Sequence, residues 1–175
     1  HFIANKSVKK LFKIGDNLAL TTAGLVGHAQ SLARTLAAEV SLFELRRNDQ
    51  MTVKGAATLT ANILSGRPHW VQLLIVGVDE DGSNVYSIDS AGGSIPDVYC
   101  ATGSGSPYMY GVLEDGYRDG MSRKEAISLA ARALAASGQR DAASGNGMDL
   151  AVITRADGFQ ELSDSEIEAV LSSIK

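Results

Sequence analysis

The sequence has 175 residues, 45% hydrophobic and 21% charged, which suits one domain, spanning 1–175, with a sizeable core and a polar surface. A net charge of −4 leaves no basic excess for nucleic acid or for a polybasic hold on membranes. No apolar run reaches the roughly 18–20 residues needed to cross a bilayer, and the single cysteine, Cys100, excludes an internal disulfide and fits a reducing, cytoplasmic compartment.

The first residue is His1, not Met, and patterned sequence follows within a few positions. The first residues do not show the charged, apolar and small-residue pattern of a signal peptide, so none is expected. The expectation is that a piece upstream has been removed. Lys9 to Ile14 reads as a strand, Gly15-Asp16 as a turn, and Asn17 to Ala23 as the returning strand. From Ala29, the residues Leu32, Ala33, Leu36, Val40 and Phe43 recur at helical spacing. Thr52 is placed to cap a second helix, which Gly66 and Pro68 end. Val71 to Val78 is almost wholly apolar and reads as a strand buried on both faces. Asp79 to Gly82 turns the chain into a strand through Val85, Tyr86 and Ile88, and Val98 to Ala101 reads as a further short strand. Ser106-Pro107 opens a third helix, with proline at its first position. Ser122 and Glu125 predict a capping box for a fourth, which runs to Gly138. Leu150 to Ile153 and Phe159 to Leu162 form a hairpin about Asp157-Gly158. Ser163 and Glu166 cap a last helix with Ile167, Val170, Leu171 and Ile174 on one face.

Strands and helices come in pairs and do not alternate, which predicts α+β with antiparallel sheet. Two packed sheets with helices outside would bury both faces of the strand from Val71 to Val78. No repeat or linker interrupts the chain.

Most motif readings fail. Gly103-Ser104-Gly105-Ser106 lacks the third glycine of a dinucleotide loop, since Tyr108 stands there, and lacks the lysine of a phosphate loop. Its spacing is not that of a nucleophile elbow. His1, His28 and His69 have no partner at metal-ligand spacing, so no metal site is expected. Asp79, Asp81 and Ser83 do not complete a calcium loop. Asp89 to Gly93 is a turn. A scattered polar set remains: Lys10, Ser104, Asp141 and Ser144. Spacing alone favours the plain reading of a solvated lysine, a helix-start serine and loop polars.

Longer blocks say more. Lys9 to Ile14, Thr21 to Gly27, Val71 to Leu74, Ser87 to Asp89 and Ala91 to Gly93 closely resemble archaeal proteasome β subunits. So do Thr102 to Ser106, Tyr110 to Glu114, Gln139 to Asp141, Ala143 to Gly145 and Asp149 to Thr154. The resemblance runs in order over essentially the whole chain. It implies the N-terminal-nucleophile hydrolase fold, two antiparallel sheets sandwiched between helical layers. It also implies a threonine endopeptidase whose first residue supplies both the attacking hydroxyl and, through its free amine, the base. By the same resemblance Lys10 is the lysine beside that threonine, its charge easing deprotonation. Ser104, Asp141 and Ser144 orient the amine. Gly24 gives the backbone N–H that meets the oxyanion. Thr21, Thr22 and Ala23 are the strand along which substrate pairs, and Val8, Phe12, Thr22, Val26 and Gln30 shape the pocket.

His1 falls some way into a mature family member, so the threonine, the first strand and an aspartate partner of the lysine are expected upstream. The 175 residues alone are expected to be inactive, because loss of a nucleophile costs many powers of ten, and poorly soluble, because sheet edges lie open. Peptide cleavage by the isolated chain would contradict that.

The resemblance implies a heptameric β ring, stacked in pairs, capped by α rings and fed unfolded polypeptide by a separate ATPase. It implies no metal or organic cofactor. The competing readings are a non-catalytic, structural β subunit and the related bacterial ring protease or another self-processing hydrolase.

Overall fold

The computed structural model describes residues 10–24, 26–66, 71–89, 93–102, 105–137 and 148–174. They group into two compact units. One contains Lys10–Thr102 and Ile153–Phe159; the other draws on Gly103–Val152 and Gln160–Lys175.

The first unit begins with the expected hairpin. β1 (Leu11–Gly15) and β2 (Leu18–Gly24) pair antiparallel, with a bulge between Lys13 and Gly15. β3 (Val71–Asp79), β4 (Gly82–Ile88) and β5 (Ser94–Asp97) complete one antiparallel sheet in the order β1-β2-β3-β4-β5. The link from β2 to β3 holds two helices, α1 (Val26–Arg47) and α2 (Val53–Gly66).

Strand parity sorts the sheet into two faces. Leu18, Leu20, Leu73, Ile75 and Ile88 share one face, and all are 2% exposed or less. With Ile14 they join Ala29, Leu32, Leu36 and Val40 of α1 and Val53, Ala56 and Leu64 of α2 in one core cluster. Each such leucine or isoleucine contributes about 1.5–3 kcal/mol by leaving water. The other face carries Leu11, Ala19, Leu74, Val78 and Val85, which are buried as well. β3 is therefore buried on both sides, as its unbroken apolar run predicts.

Polar contacts lock the corners. The buried Asn17, in the β1–β2 turn, donates its Nδ2 hydrogens to the carbonyls of Met51 (3.1 Å) and Val78 (2.9 Å). Gly77 lies against this turn: a Cβ there would collide with the Asn17 carbonyl oxygen and stand 2.8 Å from Leu18 Cδ2. Thr52 caps α2 as expected, accepting the Gly55 N–H at 3.0 Å. Asp79, at the far end of β3, supplies a second cap by accepting the Val53 N–H at 2.8 Å. α1 ends at Asn48, whose positive φ of 51° suits asparagine and whose N–H reaches the Glu44 carbonyl at 2.9 Å. Arg46 and Arg47 in its last turn complement the helix dipole.

One expected strand is corrected. Val98 to Ala101 is not a strand, and β5 lies earlier, at Ser94–Asp97. β5 is an edge strand, exposed at every residue, with Pro96 opposite Tyr86. Full exposure removes the alternation that a sequence reading relies on, and an edge position tolerates the proline.

In the other unit, α3 (Ser106–Gly116), α4 (Arg123–Ala136) and α5 (Asp164–Ser173) supply the helices. Gly105 is the cap of α3, so Pro107 takes its second position. Ala131 of α4 packs with Met148, Leu150 and Leu162, and with Ile167 and Leu171 of α5. Ser163 and Glu166 close the full capping box. On α4 the box is half made. Ser122 accepts the Glu125 N–H at 3.2 Å, while the Glu125 carboxylate pairs with Arg118. β6 (Ala151–Thr154) and β7 (Gly158–Glu161) form a two-stranded sheet. The class is the expected α+β, with antiparallel sheet.

Candidate functional site

The β1–β2 ladder places Lys10. Its carbonyl accepts the Thr22 N–H at 2.9 Å, which sets Lys10 opposite Thr22. The Lys10 residue is exposed, while Thr22 is 8% exposed and lies on the helix-covered face. Phe12 is partly buried and packs on the main core. Along an antiparallel strand the backbone groups point alternately to the two neighbours. Thr22 bonds toward β1, so Gly24, two residues on, directs its N–H to the same side. The rise per residue puts it roughly 6.5–7 Å farther along the strand. Thr21 and Ala23 direct their backbone groups toward β3, where they lie opposite Leu74 and Gln72.

This ladder brings three of the sequence-selected residues into one neighbourhood. Lys10 supplies a cation, Thr22 fixes its backbone, and Gly24 offers an N–H on the Lys10 side with no side chain to block approach. Thr21 is an interior position, paired with Leu11 on one strand and Leu74 on the other. Val26 opens α1, and Gln30 is exposed one turn later. Val8, Ser104, Asp141 and Ser144 lie outside the described residues.

The backbone bond between Thr22 and Lys10 is absent from the sequence reading, although counting back from the Gly15-Asp16 turn would approach it. The bulge between Lys13 and Gly15 shifts that count by one. Among the described residues no group of three or more His, Cys, Asp or Glu is placed to hold a metal ion. No described helix is long and apolar enough to cross a membrane.

Comparison with known proteins identifies the family. The family model "Proteasome subunit" matches residues 1–153. The chain is 47% identical to a "Proteasome subunit beta" of Archaeoglobus profundus, over 100% of its own length and 83% of that protein's. It is 48% identical to the subunit of the same name from Methanosarcina barkeri, over 99% and 84% of the two lengths. For that of Ferroglobus placidus the figures are 48%, 100% and 85%. The chain thus belongs to the proteasome subunit family, as a β subunit of the archaeal type with the α+β N-terminal-nucleophile hydrolase fold.

Proposed function

We propose that this chain is a catalytic β subunit of a 20S core particle and hydrolyses peptide bonds of unfolded polypeptides. The observation that supports it best is the exposed Lys10, held by Thr22 on the side to which Gly24 directs its N–H. A ring-building subunit free of chemistry has no need of a cation and an oxyanion donor so arranged.

The reaction needs an amino-terminal threonine supplied ahead of His1. Its Oγ attacks the scissile carbonyl carbon, and its α-amine takes the hydroxyl proton. The carbonyl oxygen becomes an oxyanion, which the Gly24 N–H stabilises. Collapse breaks the C–N bond, and the departing amine takes the proton from the ammonium. Water then hydrolyses the acyl ester and restores the threonine. In this reading Lys10 favours the deprotonated threonine through its charge, and Ser104, Asp141 and Ser144 orient the amine. Thr22 and Phe12 line the substrate pocket with Val8, Val26 and Gln30. Substrate pairs near Gly24, whose N–H faces away from β3, because Thr21 is already paired on both sides.

The working unit we propose is a heptameric ring of such chains, capped by α rings, in the cytoplasm, with a separate ATPase delivering substrate. The test is a particle assembled with α subunits from a chain that carries the threonine segment. It should cleave a fluorogenic peptide, and Lys10→Ala should lower kcat by roughly 10²–10³-fold, the range of a lost electrostatic stabiliser, with assembly intact. An assembled but inactive wild-type particle would instead identify a structural subunit.

A further inference from the structure

Among the described residues the buried polar ones are Asn17, Thr22 and Thr60. Buried polar side chains are normally hydrogen-bonded. Asn17 donates to the Met51 and Val78 carbonyls, and the Thr60 hydroxyl donates to the Ala56 carbonyl at 2.7 Å. Thr22 differs. Its N–H is bonded to Lys10, but no described group bonds its hydroxyl. Nor is that hydroxyl sealed in. The described side-chain oxygens that are both closed off from solvent and unpartnered are Asn17 Oδ1 and Glu44 Oε1. The small exposed part of Thr22, 8% of the residue, therefore includes Oγ1.

The ladder shows which way this hydroxyl is open. Leu20 lies two residues inward on the same face of β2 and Leu73 stands opposite on β3; both are wholly buried. Phe12 shares the face on β1 and is only partly buried. The inner side is thus an apolar wall, and the open side is toward Gly24, which has no side chain to close it. A side chain projected from a substrate strand paired at Gly24 must cover the roughly 6.5–7 Å of two strand residues to reach Thr22. Serine, threonine and asparagine are too short. Tyrosine has the length, an apolar ring to lie on Phe12 and a phenolic hydroxyl at its tip that both donates and accepts.

We infer that the Thr22 hydroxyl is a specificity determinant of the proposed peptidase: it favours tyrosine over phenylalanine at the substrate residue whose carbonyl is attacked, through a hydrogen bond between the two hydroxyls. This inference rests on the catalytic reading above. Phenylalanine fills the same space but shuts the Thr22 hydroxyl away from water with no partner, and a site built to hydrogen-bond its substrate rejects the analogue that lacks the group.

The experiment uses assembled particles that carry the threonine segment and two fluorogenic peptides that differ only in tyrosine or phenylalanine before the cleaved bond. The readout is the ratio of their kcat/KM values, in which any loss common to both substrates cancels. The wild-type ratio should favour tyrosine roughly 10-fold, the order of one hydrogen bond whose loss leaves a buried partner unpaired. Thr22→Val keeps the shape and removes the hydroxyl, and should bring the ratio down to about 1. Thr22→Ser restores a hydroxyl and should restore the preference for tyrosine. A wild-type particle that cleaves both peptides equally overturns the inference, and so does a Thr22→Val ratio equal to that of the wild type. If Thr22→Val does not assemble, Thr22→Ala replaces it with the same expected ratio, and a wild-type ratio there overturns the role equally. A wild-type particle inactive on both peptides overturns the peptidase reading and this role with it, while an active one with an unchanged ratio in the variants overturns the role alone.

Discussion

The sheet unit and the helix unit hold their shape by different means. In the first, one face of a five-stranded sheet and two helices share a continuous apolar core, with Leu18, Leu20, Leu36, Leu73 and Ile75 entirely out of water. In the second, the described core is the small group around Ala131, Ile167 and Leu171, and α3 buries no residue at all. Order there depends more on termini: the Ser163–Glu166 box, the Ser122 cap and glycine contacts between helices. The lesson is that a rigid platform and a cap-dependent helical layer respond to different perturbations.

The sharpest way to break that contrast is a pair of matched deletions. Leu20→Ala should destabilise by about 4–5 kcal/mol and Leu171→Ala by about 3, the upper and lower parts of the range for buried leucines. Urea unfolding followed by circular dichroism measures both, and a larger loss for Leu171→Ala would reverse the picture. Next in size is Asn17→Ala. It strips the Met51 and Val78 carbonyls of their side-chain donor, at about 2–3 kcal/mol. The effect should fall on amide exchange in α2 and β3; protection there equal to wild type would show the corner to be dispensable.

The smallest effect concerns pH. The Ser163 N–H holds the exposed Glu166 carboxyl below its ordinary pKa, with the Ser163 hydroxyl and Arg123 acting the same way. A group with a lowered folded-state pKa adds stability above its unfolded pKa and loses it as pH falls through the folded value. Glu166→Gln should therefore flatten a small acid-side loss of stability and leave neutral pH little changed. Ser163→Ala should cost about 1 kcal/mol and reduce the same acid-side slope without removing it, because the backbone N–H at 163 remains. An unaltered slope in either variant would remove the box from the account.

Much of the platform was legible because its signals are local. The run from Val71 to Val78, the turn at Asp79 to Gly82 and the spacing of Leu32, Leu36 and Val40 each name one element. What escaped depends on partners distant in sequence. Asp79 reads as a turn residue, yet it also caps a helix that begins 26 positions earlier. Glu125 reads as the return arm of a capping box, yet Arg118 takes its carboxylate. β5 carries no burial signal because nothing covers an edge strand's every residue. At the candidate site, motif matching selected Lys10 and Gly24, but their common side follows only from ladder parity. Ser104, Asp141 and Ser144 rest on resemblance alone, since loop polars have no periodicity to read.

Asn17 has a consequence for the order of events on the ribosome. Its two acceptors lie 34 and 61 residues downstream. At about 5–20 residues per second, roughly 3–12 s separate the synthesis of Asn17 from that of Val78. Until then the Asn17 amide lacks at least one of its two carbonyl partners. The turn is thus written early and sealed late, and a nascent chain that stalls before β3 exposes an unsealed corner to whatever surveys unfinished proteins.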